Sequence, residues 1–118
     1  MSAEFESPEE VAIVGMACRF PGARNIEEYW ANLCDGVESI SFLSLEESLS
    51  DGADPALLRA ADYVGAAGVL DDIEMFDAEF FGVNPREARI LDPQHRLFLE
   101  CAWAALENAG YPPGAGSR

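Results

Sequence analysis

The stretch Val11-Ala12-Ile13-Val14-Gly15-Met16-Ala17-Cys18-Arg19-Phe20-Pro21-Gly22 decides the fold class. Its first four residues are a continuous apolar run rich in β-branched side chains, closed by Gly15. A strand with one wet face alternates polar and apolar residues. A run without alternation predicts a strand covered on both faces, the habit of interior strands in α/β sheets. Pro21-Gly22 then punctuates a turn.

Helix signals follow at once. Asn25 is a good N-cap, Glu28 three residues on makes a capping-box-like start, and Ile26, Tyr29, Trp30 and Leu33 share one face before Gly36 ends the helix. That aromatic stripe reads as core packing against a sheet and not as a cofactor box. From Val37 to Asp72 the pattern is less regular, with five serines interrupting the apolar positions. One or two short helices are expected there, one of them capped by Asp54-Pro55 and running through Leu57, Leu58 and Ala61. Tyr63 to Leu70 reads as an extended segment weakened by Gly65 and Gly68.

Asp77 stands at a cap-like position, and a helical turn there presents Phe76 and Phe80 to one hydrophobic cluster. Asn84-Pro85 opens a short helix toward Leu91 with Glu87 as capping partner, and Asp92-Pro93 stops it and starts another. The last helix is the clearest element. Leu97, Phe98, Cys101, Ala102, Ala105, Leu106 and Ala109 recur at three and four, and Gly110 with Pro112-Pro113 terminates it. Ala102, Ala105 and Ala109 form a small-residue face that permits close approach of another helix, within the molecule or from a twin subunit. No internal repeat is present.

With 118 residues the chain is one domain at most, and 49% hydrophobic residues with 10% aromatics place it among globular sequences. Seven Lys plus Arg against 22 Asp plus Glu leave a net charge of −15, a field that repels nucleic acid and anionic membrane surfaces. No apolar run approaches the roughly 20 residues that span a bilayer. The acidic leader, residues 1–10, has neither the basic nor the apolar region of a secretory signal and no heptad pattern, so a cytoplasmic setting without a coiled-coil docking segment is expected.

Candidates for chemistry are few. The segment from Gly15 to Gly22 lacks the glycine spacing of a dinucleotide loop and the Lys of a Walker loop, which argues against nucleotide binding. Cys18, Cys34 and Cys101 are odd in number and far apart, fitting neither a disulfide framework nor a zinc site, so reduced thiols are expected. Cys18 beside Arg19 is the one local candidate for a nucleophile, but no base lies near it in sequence and burial is the commoner fate of a free cysteine. His95 is the only histidine, too few ligands for a metal, and a structural role near Asp92 is favoured. Pairs such as Asp71-Asp72 and Glu46-Glu47 diverge on any regular backbone, which argues against an acid and base pair. The residues alone therefore give an α/β domain with no catalytic, cofactor-binding or metal-ligating residue assigned.

The quoted opening stretch closely resembles the first strand and loop of modular ketosynthase domains. The resemblance continues through Tyr29-Trp30-Ala31-Asn32-Leu33, Gly68-Val69-Leu70-Asp71-Asp72, Phe76-Asp77-Ala78-Glu79-Phe80-Phe81-Gly82 and Asn84-Pro85-Arg86-Glu87-Ala88. Leu91-Asp92-Pro93-Gln94-His95-Arg96-Leu97-Phe98-Leu99-Glu100 and Cys101 to Tyr111 complete it, with Ala104 where the family usually has an acidic residue. Residues 11–118 are thus identified as the N-terminal part of a β-ketoacyl synthase domain of a modular type I polyketide or mixed peptide-polyketide synthase.

The resemblance implies an incomplete N-terminal portion of a thiolase-like fold, in a parent that works as a homodimer. Family members load an acyl chain from the phosphopantetheine of an acyl carrier protein onto a Cys, then decarboxylate a malonyl-type extender and join the two by Claisen condensation. The family's nucleophilic Cys and two His lie downstream of every motif matched here. The segment alone is therefore expected to be inactive, to bind no cofactor directly, and to need the remainder of the synthase to cover its sheet edges and Ala-rich helix face. Arg96 is a candidate for a buried ion pair that shapes the fold and the dimer surface. The alternative is a non-catalytic scaffold or degenerate subunit that completes a partner.

Overall fold

Among the described residues, five helices and one small sheet form, the helices on local capping chemistry. The structure, a computed structural model, describes residues 10–111, so the acidic leader apart from Glu10, and Pro112-Pro113, lie outside the described residues. Helix α1 spans Ile26–Asp35, where the Asn25 side chain accepts from the Glu28 N–H and Gly36 closes the helix at φ 65°. The Glu28 carboxylate reaches back one residue further than a strict capping box, accepting from the Arg24 N–H at 2.7 Å. Helix α2, Leu45–Ser50, has a full capping box between Ser44 and Glu47. Helix α3, Pro55–Leu58, starts on the Asp54 carboxylate and ends before Ala61, three residues short of the expected run.

Helix α4, Pro85–Ile90, opens as expected on Asn84, whose side chain accepts from the Glu87 N–H. The long helix α5, Pro93–Ala109, places Pro at its first turn, where a missing N–H costs nothing. The Asp92 carboxylate accepts from the Gln94 N–H at 2.8 Å, and Gly110 at φ 75° ends the helix. Strands β1, Ser41–Phe42, and β2, Ala66–Ala67, pair antiparallel with Ser41 opposite Ala67. Only these two residues of the stretch from Tyr63 to Leu70 form a strand, in keeping with its flanking glycines.

Two expectations need correction, and a third is met with an enlarged cluster. Val11–Val14 is not a strand: no ladder partner exists for it among the described residues, and Ile13 stays 83% exposed. An apolar β-branched run supplies the propensity for a strand, but a strand exists only when neighbours satisfy its N–H and C=O groups. The helical turn expected near Asp77 forms as a single turn, with the Phe81 N–H bonded to the Asp77 carbonyl at 3.3 Å. Asp77 does cap, accepting from the Phe80 N–H at 3.0 Å, but Phe76 stacks on Phe81 at 5.2 Å, and Phe80 meets Trp103 of α5 edge to face at 4.6 Å. The aromatic cluster thus has four members and is anchored on α5.

The second correction concerns the Ala face of α5. Among the described residues it receives the loop through Gly15: a Cβ on Gly15 would sit 2.7 Å from the Ala105 carbonyl oxygen and 2.7 Å from the Ala109 Cβ. Only glycine lets the backbone come this close.

Burial is sparse. Ala23 and Leu58 are the buried hydrophobic residues among those described, with Ser48 the one buried polar residue. The radius of gyration is 20.8 Å, against about 13.5 Å for a compact domain of this length. The apolar faces read from the sequence are real, but the described residues do not cover them.

Candidate functional site

Residues 15–24 run along α5 and fold back onto α1. Phe20 and Ala23 exchange a pair of 2.9 Å backbone hydrogen bonds, which makes a tight turn with Gly22 at φ 71°. The Asn32 amide of α1 donates to the Gly22 carbonyl at 2.8 Å, and the Phe20 and Tyr29 rings lie 4.6 Å apart. On the α5 side, the Met16 N–H donates to Asn108 Oδ1 at 3.1 Å. Gly15 itself faces the helix.

Two arginines tie this loop to its surroundings. Arg19 Nη1 pairs with Glu100 Oε2 of α5 at 3.5 Å, and its Nη2 donates to the Asp71 carbonyl at 3.0 Å. Arg24 Nη2 pairs with Asp72 Oδ2 at 3.2 Å. Asp72 adopts a left-handed backbone, φ 56°, which is uncommon for a residue with a Cβ. Both arginines, Asp72, Phe76, Asp77 and Glu100 line an open cleft of about 500 Å³. Beside it, Cys18, Arg19, Arg24, Glu100, Cys101 and Ala104 enclose a smaller cavity of about 170 Å³.

The thiols of that cavity are not activated. Burial first, then the neighbouring Cys101 and Glu27, push the Cys18 thiol above its ordinary value. Burial likewise raises Cys101, with Arg19 pulling it down and Glu100 pushing it up. A nucleophilic cysteine needs its thiolate at neutral pH, held by a cation or a helix N-terminus. Here both guanidiniums that line the cavity are already engaged, Arg19 by Glu100 and the Asp71 carbonyl and Arg24 by Asp72. Cys34 is exposed.

The remaining sequence candidates lie apart from this cavity. His95 is exposed in the first turn of α5, and its backbone N–H bonds to the Asp92 carbonyl at 3.0 Å. Arg96 is half-buried, and its Nε is shielded from solvent without a hydrogen-bond partner among the described residues. The ion pair expected for Arg96 is therefore not formed there, and Arg19 is the arginine that pairs with α5. The described residues bring no three His, Cys, Asp or Glu side chains together as metal ligands. None of their helices is long and apolar enough to cross a membrane. The Arg19 and Arg24 pairs escaped sequence reasoning because their partners lie 81 and 48 positions away, beyond any periodicity.

Residues 8–118 match the family model described as the N-terminal domain of beta-ketoacyl synthase. A phenolphthiocerol/phthiocerol polyketide synthase polypeptide of Mycobacterium tuberculosis is 52% identical over 103 residues, which is 87% of this chain and 7% of that protein. Polyketide synthase PksN of Bacillus subtilis is 43% identical over 87% of this chain and 2% of its own length. Among solved structures, the ketosynthase from module 6 of the Bacillus subtilis bacillaene synthase superposes with a TM-score of 0.69 at 43% identity, covering 84% of this chain and 16% of that one. Ketosynthase twelve of the Bacillus amyloliquefaciens bacillaene synthase gives a TM-score of 0.66 at 44% identity, over 81% and 17% of the two chains. The fold is accordingly the expected α/β one, an N-terminal portion of the thiolase-like architecture. With a family match over residues 8–118 and a superposition on ketosynthase domains, the chain belongs to the β-ketoacyl synthases and forms part of their N-terminal domain.

Proposed function

We propose that this chain is the N-terminal segment of a polyketide β-ketoacyl synthase whose whole performs decarboxylative Claisen condensation of acyl and malonyl-type thioesters, and that the segment alone is inactive. The observation that carries the reading is a contrast. The family match spans residues 8–118, yet burial pushes both thiols gathered at the loop and α5 above their ordinary value, and no histidine lines their cavity. Acyl transfer from a carrier phosphopantetheine needs a thiolate to attack the thioester carbonyl, and decarboxylation needs preorganised donors for the enolate oxygen. Those groups belong to the Cys and His motifs that the resemblance puts downstream. The role left to this segment is structural: α5, clamped to the loop by Arg19 and Gly15, forms one layer of the domain.

The partners that follow are an acyl carrier protein, the remainder of the synthase and a second copy of the parent domain, in a cytoplasmic setting, with no cofactor held by this segment itself. The test compares two proteins offered an acyl carrier thioester and a malonyl carrier thioester, with products read by mass spectrometry. The full ketosynthase domain carrying this sequence condenses them, and the 118-residue chain gives neither acyl-enzyme nor product. Elongation by the short chain overturns the assignment, whereas a full domain that binds the carrier but never condenses favours the scaffold alternative.

A further inference from the structure

Two of the three cysteines, 83 positions apart in sequence, line the same cavity of the folded chain. The contacts on either side fix the register. Gly15 sits against Ala105 and Ala109, the Met16 N–H is bonded to Asn108, and Arg19 is paired with Glu100. The loop therefore runs antiparallel to α5, and Cys18 falls opposite Cys101 and Ala104. Both thiols are free and half-buried, and both line the same cavity of about 170 Å³. Contacts at Gly15, Met16 and Arg19 hold the loop against α5 on either side of Cys18, and Cys101 stands close enough to act on the Cys18 thiol electrostatically.

We propose that Cys18 and Cys101 form an oxidisable dithiol pair, a modification site at which a small-molecule disulfide converts the two thiols into a disulfide that staples the loop of residues 15–19 to α5. In the first step, at mildly alkaline pH, the Cys18 thiol loses its proton to buffer, and the resulting thiolate attacks one sulfur of oxidised glutathione and expels one glutathione thiolate. In the second, the Cys101 thiolate attacks Cys18 Sγ and expels the other. The protein gives up two protons and two electrons, which leave as two molecules of reduced glutathione. The pairing is independent of the condensation chemistry, since neither thiol is assigned a role in it.

The test uses the full chain with Cys34→Ser, which removes the exposed thiol, and a parallel sample with Cys34 retained. Both are incubated with oxidised glutathione, alkylated, digested and mapped by mass spectrometry. The expected result is one cross-linked pair of peptides containing Cys18 and Cys101, with loss of two hydrogens and no retained glutathione. In the sample that keeps Cys34, the Cys18–Cys101 link should exceed the two alternative pairings at least tenfold. A statistical mixture of the three pairings, or stable glutathione adducts on Cys18 and Cys101 separately, overturns the proposal. The same map on the complete ketosynthase domain should show the same link, and its absence there while both residues alkylate freely also counts against it.

Discussion

Replacing Gly15 with Ala tests whether the loop is seated on α5 as described. The new Cβ would lie 2.7 Å from the Ala105 carbonyl oxygen, 2.7 Å from the Ala109 Cβ and 2.8 Å from the Ala109 nitrogen. Comfortable separations begin at about 3.5 Å, and two of these three neighbours are helix backbone, which cannot swing aside. Forcing a methyl into such a place costs about 1–3 kcal/mol. Against that, the smaller conformational freedom of the unfolded Ala variant returns about 0.4–1 kcal/mol. The net expectation is a loss of roughly 1–2 kcal/mol, read from urea unfolding of the ketosynthase domain that carries this sequence. Gly36→Ala is the control, because nothing stands within 4 Å of its Cβ and only the positive φ of 65° opposes the change. Adding Ala109→Gly removes one of the Gly15→Ala clashes, so the two changes should couple favourably even though glycine in a helix costs about 1 kcal/mol. A neutral or stabilising Gly15→Ala, or strict additivity with Ala109→Gly, would refute the close approach.

Three smaller effects should accompany it. Asp92→Ala removes the acceptor for the Gln94 N–H and should lower stability by about 1 kcal/mol, with the loss of helical signal confined to α5. A double-mutant cycle on Arg19→Met and Glu100→Gln, whose side chains are 23% and 30% exposed, should give a coupling of about 0.5–1 kcal/mol that shrinks in high salt. Glu47 is held below the usual carboxylate range by the hydrogen bond from the Ser44 N–H and then by the Ser44 hydroxyl. A depressed folded value means the cap contributes above about pH 4.3 and is lost as the pH falls through that lower value. The NMR helicity of Leu45–Ser50 should fall in acid, and Glu47→Gln should flatten that dependence; an unchanged acid response in the variant sinks the capping argument.

What the sequence disclosed was whatever is written within four residues. Asn25, Asp54, Asn84 and Asp92 cap the helices they were read to cap, and Gly36 and Gly110 end α1 and α5 in the left-handed conformation. Each is a short-range hydrogen bond or a steric permission, so spacing alone betrays it. Ser44 was legible on the same grounds, with Glu47 three residues on, but its serine-rich surroundings masked it. The long-range contacts were not legible. Nothing near Arg19 names Glu100, nothing near Cys18 names Cys101, and the small residues of α5 fit a helix as well as they fit the loop through Gly15. For Val11–Val14 the failure is of another kind, since composition gives a strand its inclination while only a neighbour gives it its bonds.

The same distinction explains how the segment relates to its family. Helices stop and start within its own sequence, but their apolar faces remain open: Phe98 is 72% and Ile90 83% exposed. Exposed apolar surface on that scale is costly in water, and a net charge of −15 adds self-repulsion that opposes further collapse. The segment nonetheless superposes on ketosynthase domains of which it covers 16–17%. In those domains the surface left open here belongs to one part of a much larger layer. Local order is therefore encoded in these residues, while the apolar faces they leave open among the described residues call for further surface to bury them, so these 118 residues taken alone should lose stability before they lose their helices.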